Sequence, residues 1–257
     1  MITLYDSAFS PFARKVRMVI DHKGLKAKYV DGLRRENHER LKEINQRAEV
    51  PAIVDGDLTI INSADIIAYL DYKFPDHPVL PFDPEIRAKA RAWERTADHT
   101  IDPILVNISY WLWAERPDSM PTGLKDAAKR DMGQVYAELE QNLSEDGFLF
   151  SEVSIAEYAL IPHLASTFAL GVGPNRTAFP KVCAWIKRLK KLDVIQADMT
   201  RTREWFRDIA NQDVERNQIF WRGDRIEWIL AKGHHDWFFR EIEEDRVLWP
   251  GLGLPTR

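Results

Sequence analysis

Prolines stand at positions 75, 78, 81 and 84, one at every third residue. Each fixes its own φ and removes a backbone donor, so neither a helix nor an interior strand runs through them. A segment of this kind acts as a stiff linker. The 257-residue chain, 45% apolar, is therefore read as two modest domains. Residues 1–76 alternate short apolar runs with amphipathic stretches, the pattern of an α/β layer. Residues 77–85 form the linker, 86–195 keep a helical period, and 196–257 make a C-terminal extension.

Within the first part, Ile2 to Tyr5 reads as a strand. From Pro11 the period becomes helical, with Phe12, Val16, Val19 and Ile20 on one face, Arg14, Lys15 and Arg17 largely elsewhere, and Gly24 placed as the C-terminal cap. Ala27 to Val30 is a second strand, and the charged run from Arg34 to Glu43 suits a solvated helix. Residues 50–54 and 58–61 are β-branched runs joined by Asp55-Gly56-Asp57, a hairpin signal. A helix starts at Asn62 or Ser63 and presents Ile66, Ile67, Leu70 and Phe74. The order is βαβ followed by ββα.

Beyond the prolines, Ile86, Ala90, Trp93, Ala97, Ile101, Ile104 and Ile108 step by three or four, with Pro103 expected to interrupt the helix. Ala128 to Leu143 and Val182 to Leu189 carry the same period. Ser154 and Glu157 form a capping box, with Val153 and Tyr158 as its staple. This half is all-α.

Bulk properties exclude several classes. A net charge of −4 made of many charges of both signs leaves no footprint for nucleic acid. No segment approaches the roughly 18 apolar residues of a membrane span, and Met1 to Asp6 does not have the flanks of a signal peptide, so a cytoplasmic protein is expected. The single cysteine, Cys183, rules out an internal disulfide and a Cys-x-x-Cys pair; its apolar neighbours mark a buried, inert thiol. His163 reads as a core histidine and His234-His235 as structural or surface histidines, so no metal is expected.

Three short motifs remain. Ser10-Pro11 places serine at an N-cap and proline at the first helical position. The free amides of that helix end stabilise an anion such as a thiolate. Ser10 either caps its helix only or also donates to a bound thiolate. Val50-Pro51 opens a strand, where a trans bond is ordinary and a cis bond would turn the Val50 backbone outward. Asn62-Ser63 either caps a helix or receives a carboxylate and an ammonium group.

Taken together, Leu4-Tyr5, Ser10-Pro11-Phe12-Ala13, Arg17, Val50-Pro51, Asn62-Ser63-Ala64-Asp65-Ile66 and Tyr69-Leu70 resemble the glutathione transferase superfamily, the first segment most like its omega and tau classes. Ser154-Ile155-Ala156-Glu157-Tyr158-Ala159-Leu160 is similar to the family's helical-domain motif. The resemblance covers roughly residues 1–195. It implies a thioredoxin-like N-terminal domain followed by a helical bundle domain of glutathione transferase type, glutathione as cosubstrate, and a homodimer. It also implies that Ser10 activates the thiol for attack on a small hydrophobic electrophile. Phe12 would line the glutathione site, Val50 would pair with the cysteinyl backbone, Pro51 would be cis, and Asn62 with Ser63 would hold the γ-glutamyl end. Tyr110, Trp111 and Trp113 would face the electrophile; core packing is the competing reading.

The sequence also departs from the family. Asn62 replaces the usual acidic residue, which removes a charge-assisted contact with the ligand's ammonium group. The approach to Pro51 reads Asn45-Gln46-Arg47-Ala48-Glu49, leaving Arg47 or His38 as candidates for the glycyl carboxylate. The aromatic-rich extension, with Phe220, Trp221, Trp228, Trp237, Phe238, Phe239 and Trp249, is expected to pack on the helical domain. Two other readings stand beside conjugation. One is an inactive binding or assembly module, and the other is thiol-disulfide exchange or reductive dehalogenation, which in similar proteins needs a cysteine near Ser10.

Overall fold

The computed structural model describes residues 1–114, 116, 118–208, 211 and 218–252; the side chain of Phe220 lies outside the described residues. Its contacts group into two units.

The first unit is built on a four-stranded sheet ordered β2-β1-β3-β4. β1 (Ile2–Asp6) runs parallel to β2 (Ala27–Asp31) and antiparallel to β3 (Ala52–Asp55), which pairs antiparallel with β4 (Leu58–Ile61). The parallel pair needs a crossover, supplied by α1 (Pro11–His22). α1 ends where Gly24 takes φ 63° and Leu25 N donates to Ile20 O at 3.1 Å. The β3–β4 turn closes on Gly56, also at positive φ. Tyr5 and Ala52, paired across β1 and β3, cluster with Leu41 and Ile44 of α2 (Arg35–Ile44). Leu4 and Ile53, one residue along, fall by alternation on the opposite face, which carries α1 and α3 (Ser63–Lys73).

The linker is fastened to this unit. Asp71 accepts from Val79 N and Leu80 N at 2.9 and 3.2 Å. Lys23 pairs with Asp71 at 2.8 Å and donates to the carbonyls of Phe74, Asp76 and His77. α4 (Pro84–Thr96) starts on the last proline itself, two residues before the expected boundary, because proline is accepted at the first helical position. Asp83 accepts from Glu85 N and Ile86 N, each at 2.9 Å.

In the second unit a π-helical turn, Ala97–Ile101, precedes α5 (Asp102–Trp113), so the interruption expected at Pro103 falls just ahead of it. α6 (Leu124–Asn142), α7 (Ile155–Leu164), α8 (Thr167–Leu170) and α9 (Pro180–Leu189) follow. The α7 capping box forms as read, and Glu157 also accepts from Leu149 N at 2.8 Å. α11 (Gly223–Ala231), α12 (His235–Glu243) and a two-residue parallel pair, β5 (Ile219–Phe220) with β6 (Val247–Leu248), complete it.

The C-terminal extension is not one body on the helical half. α10 (Asp193–Arg207) groups with the sheet, because Asp198 is buried against Arg14 and Arg17 of α1. Trp221 and Trp237 belong to the helical unit, packing their rings on Tyr110 and Trp111. Phe239 and Trp249 stay about half exposed. Cys183 is only partly buried. The charged face of α1 also differs from a solvated one: Arg14, Lys15 and Arg17 are all buried. Among the described residues no helix is long and apolar enough to cross a membrane.

Asp102, fully buried in the helical unit, is held by Arg225 at 2.8 and 3.2 Å. Burial opposes its charge, yet Arg225 keeps its carboxyl below the ordinary range. Arg225→Met leaves that carboxylate unpaired and is expected to cost about 3–5 kcal/mol in urea unfolding. The Asp102→Leu/Arg225→Met double variant should recover most of the loss.

Candidate active site

The strand register decides where the three motifs meet. Tyr5 stands opposite Ala52, and Ala52 opposite Ile61. The segments continuing from this row, residues 7–10, 50–51 and 62–63, therefore emerge at one end of the sheet. Neighbouring strands lie about 4.8 Å apart, so that end is narrow. The N-termini of α1 and α3 both open there, and each offers free amides and the positive end of a helix dipole.

Ser10 is the α1 N-cap, extended at φ −77° and ψ 119°, and its Oγ accepts from Ala13 N at 3.4 Å. Pro11 takes the first helical position, and no acidic residue lies in the first turn to compete for the dipole. Ser10 N donates to Ser7 O at 3.2 Å, and Phe9 N to Ser7 Oγ at 3.2 Å, which folds residues 7–10 back on themselves. Phe12 is half-buried, with the Lys15 ammonium 5.8 Å from its ring.

The Val50–Pro51 peptide is cis. Pro51 is buried and Val50 half-buried. Gly32 makes room there, since a Cβ on it would stand 2.8 Å from Val50 Cγ1. Upstream, buried Asn45 organises the turn by donating to Glu49 O at 2.8 Å and accepting from Arg47 N at 3.1 Å. Arg47 donates from Nε and Nη2 to the two oxygens of Glu49, at 2.7 and 3.0 Å, and the carboxylate raises the guanidinium pKa further. Arg47 is therefore not a bare cation on this edge. His38 sits half-buried on α2.

Asn62 is the α3 N-cap and accepts from Ala64 N at 3.2 Å. Its backbone lies at φ 72° and ψ 118°, a region that non-glycine residues rarely adopt. Ser63 beside it is buried and Asn62 exposed.

The second unit holds the other three candidates. Tyr110 is fully enclosed, while Trp111 and Trp113 are half-buried. Trp111 Nε1 donates to Asp118 O at 3.1 Å and Trp113 Nε1 to Ser109 Oγ at 3.0 Å. The Arg116 guanidinium stands 5.2 Å from the Trp111 ring. For Tyr110 the packing is that of a core side chain.

Arg14 and Asp198 do not stand out in the sequence. Asp198 accepts from Arg14 at 3.0 and 2.7 Å and from Arg17 at 2.7 Å, and Arg17 also grips Asp6. Burial pushes the Asp6 carboxyl above its ordinary range although Arg17 pulls against it. A cavity of about 330 Å³ lies beside this group, lined by Ser7, Arg17, Tyr29, Asp31, Arg201 and Trp205 among others. The spacing of Arg14 and Arg17 marks a shared helix face, but nothing local points to a partner more than 180 residues away.

Residues 4–78 match the family model for the glutathione S-transferase N-terminal domain and residues 110–193 that for the C-terminal domain. The chain is 31% identical over 184 residues to glutathione S-transferase 1 of Dianthus caryophyllus, covering 69% of this chain and 81% of that protein. It is 26% identical over 195 residues to glutathione S-transferase U2 of Arabidopsis thaliana, covering 73% and 83%. Ure2p5 of Phanerochaete chrysosporium, cocrystallized with 1-(S-glutathionyl)-2,4-dinitrobenzene, shares the fold. Its TM-score is 0.69 at 20% identity, over 80% of this chain and 96% of that one.

The Asn62 backbone gives a direct test of this edge. Asn62→Ala loses the cap and keeps the positive φ, and should cost about 1–3 kcal/mol in urea unfolding. Asn62→Gly, free of the φ penalty, should stay within about 0.5 kcal/mol of wild type.

Proposed function

The chain belongs to the glutathione S-transferase superfamily, and from that premise we propose that it conjugates glutathione to a small apolar electrophile, with Ser10 stabilising the attacking thiolate. One observation carries this reading. Ser10 Oγ spends a lone pair, not its proton, on the helix cap. Capping and donation are therefore compatible in one hydroxyl.

Glutathione lies along the sheet edge in this reading. The Val50 backbone pairs with its cysteinyl unit, Phe12 flanks it, and Ser63 with the α3 amides receives the γ-glutamyl carboxylate. Asn62 offers the ammonium group a neutral acceptor where a carboxylate would bind more strongly. Because Glu49 occupies Arg47, His38 is the better candidate for the glycyl carboxylate. Trp111 and Trp113 are assigned to the apolar acceptor, and the protein acts as a cytoplasmic homodimer.

The reaction then needs little covalent help from the protein. The Ser10 hydroxyl and the α1 amides lower the thiol pKa, which raises the thiolate fraction at neutral pH. Sulfur attacks the electrophilic carbon, the leaving group departs with the electron pair, and the thioether forms. Thiol-disulfide exchange fits less well. The one cysteine, Cys183, lies in the helical unit, and burial pushes its thiol up, away from the reactive thiolate form.

Conjugation of glutathione to a halogenated dinitrobenzene tests the assignment. Ser10→Ala removes a hydrogen bond to a charged group worth about 1.5–3 kcal/mol and should lower kcat/KM at neutral pH about 10- to 100-fold. Turnover equal to wild type would remove Ser10 from the mechanism. Absence of turnover and of glutathione binding in the wild type would favour a binding module.

A further inference from the structure

Most of α10 lies beyond the segment of family resemblance, yet one of its faces is turned to the Ser10 region. Asp198, Thr202, Trp205 and Phe206 are spaced i, i+4, i+7, i+8, which places them on a single helical stripe. Each of them engages residues that flank Ser10. Ahead of the serine, Thr202 Oγ1 reaches Ala8 O at 3.2 Å and the Asp198 carbonyl of its own helix at 3.0 Å, so its one proton is shared between the two acceptors. The Phe9 ring stacks on Trp205 with centroids 5.6 Å apart and planes at 21°, and meets Phe206 edge-on at 5.7 Å. Behind the serine, Asp198 takes both Arg14 and Arg17 on its two oxygens.

The segment needs such support. Residues 7–10 hold themselves with two hydrogen bonds of 3.2 Å, and the Ser10 cap contact is long at 3.4 Å. A donor aimed at a thiolate must be held within about 0.5 Å of its productive position, which is set by the packing of its neighbours. Phe9, immediately before Ser10, meets two aromatic rings of α10.

We propose that α10 is the positioning element for Ser10, with Trp205 and Thr202 as positioning residues that fix the direction of the hydroxyl through Phe9 and Ala8. The proposal rests on the reading of Ser10 as the thiolate donor. Asp198 anchors the same helix, but it also carries charge. Its removal would leave two buried guanidinium groups whose field favours a thiolate, opposite in sign to a positioning loss. The uncharged residues therefore separate the two effects.

The pH profile of kcat/KM between about pH 6 and pH 9.5 provides the test, because a misaimed donor returns the thiol toward its free pKa of ~8.5. Trp205→Ala should lose about tenfold at pH 6.5 and less than about twofold at pH 9.5, where the thiol ionises unaided. Trp205→Phe, which retains the stack, should remain within about twofold of wild type throughout. Thr202→Val should show a smaller loss, again confined to low pH, and carries the test if Trp205→Ala does not fold. A loss that is uniform across pH, no loss in either variant, or equal damage from Trp205→Phe and Trp205→Ala would overturn the proposal. Ser10→Ala run alongside distinguishes the failures. If it matches wild type, the Ser10 reading falls first; if it is impaired while Trp205→Ala and Thr202→Val are not, only the role of α10 falls.

Discussion

The backbone pairing that sets Tyr5 opposite Ala52 and Ala52 opposite Ile61 is the constraint on which the candidate site depends. Because side chains alternate across a sheet, a one-residue slip would send Leu4 and Ile53 to the α2 face and expose Tyr5 and Ala52 to the other. The hydrophobic pattern on both faces thus fixes the register, and the register fixes which segments share the sheet edge. Ser10, the cis Val50–Pro51 bond and Asn62-Ser63 come together through core packing.

Electrostatics then gives that edge its character. Two helix N-termini open on it, and α1 has no carboxylate in its first turn to quench the dipole. Deeper in the unit, Asp6, Arg14, Arg17 and Asp198 form a buried group in which two carboxylates face two guanidiniums. Such a group adds little net stability compared with apolar packing, but it tolerates the loss of no member. It ties β1, α1 and α10 into one arrangement around the loop that carries Ser10.

Much of this was legible in the sequence because its signals are local. Ser10-Pro11 and Gly24 bracket α1 within a single amphipathic run, Asp55-Gly56-Asp57 closes a hairpin, and Ser154 with Glu157 caps α7. The remainder is set by partners far along the chain. Arg14, Lys15 and Arg17 lie off the apolar face of α1, yet they are buried, Arg14 and Arg17 against a carboxylate more than 180 residues away. Tyr110 carries no local sign that Trp221 would enclose it. The extension reads as one aromatic-rich tail, and only its contacts divide it between two units.

The central claim is that Ser10 holds another molecule's thiolate, and the ionisation of bound glutathione tests it most directly. Ultraviolet difference titration of the thiolate in the binary complex should give wild type a thiol pKa at least about one unit below the free value of ~8.5, and Ser10→Ala a value returned toward it. Equal pKa values in the two proteins, with glutathione bound in both, would contradict the account.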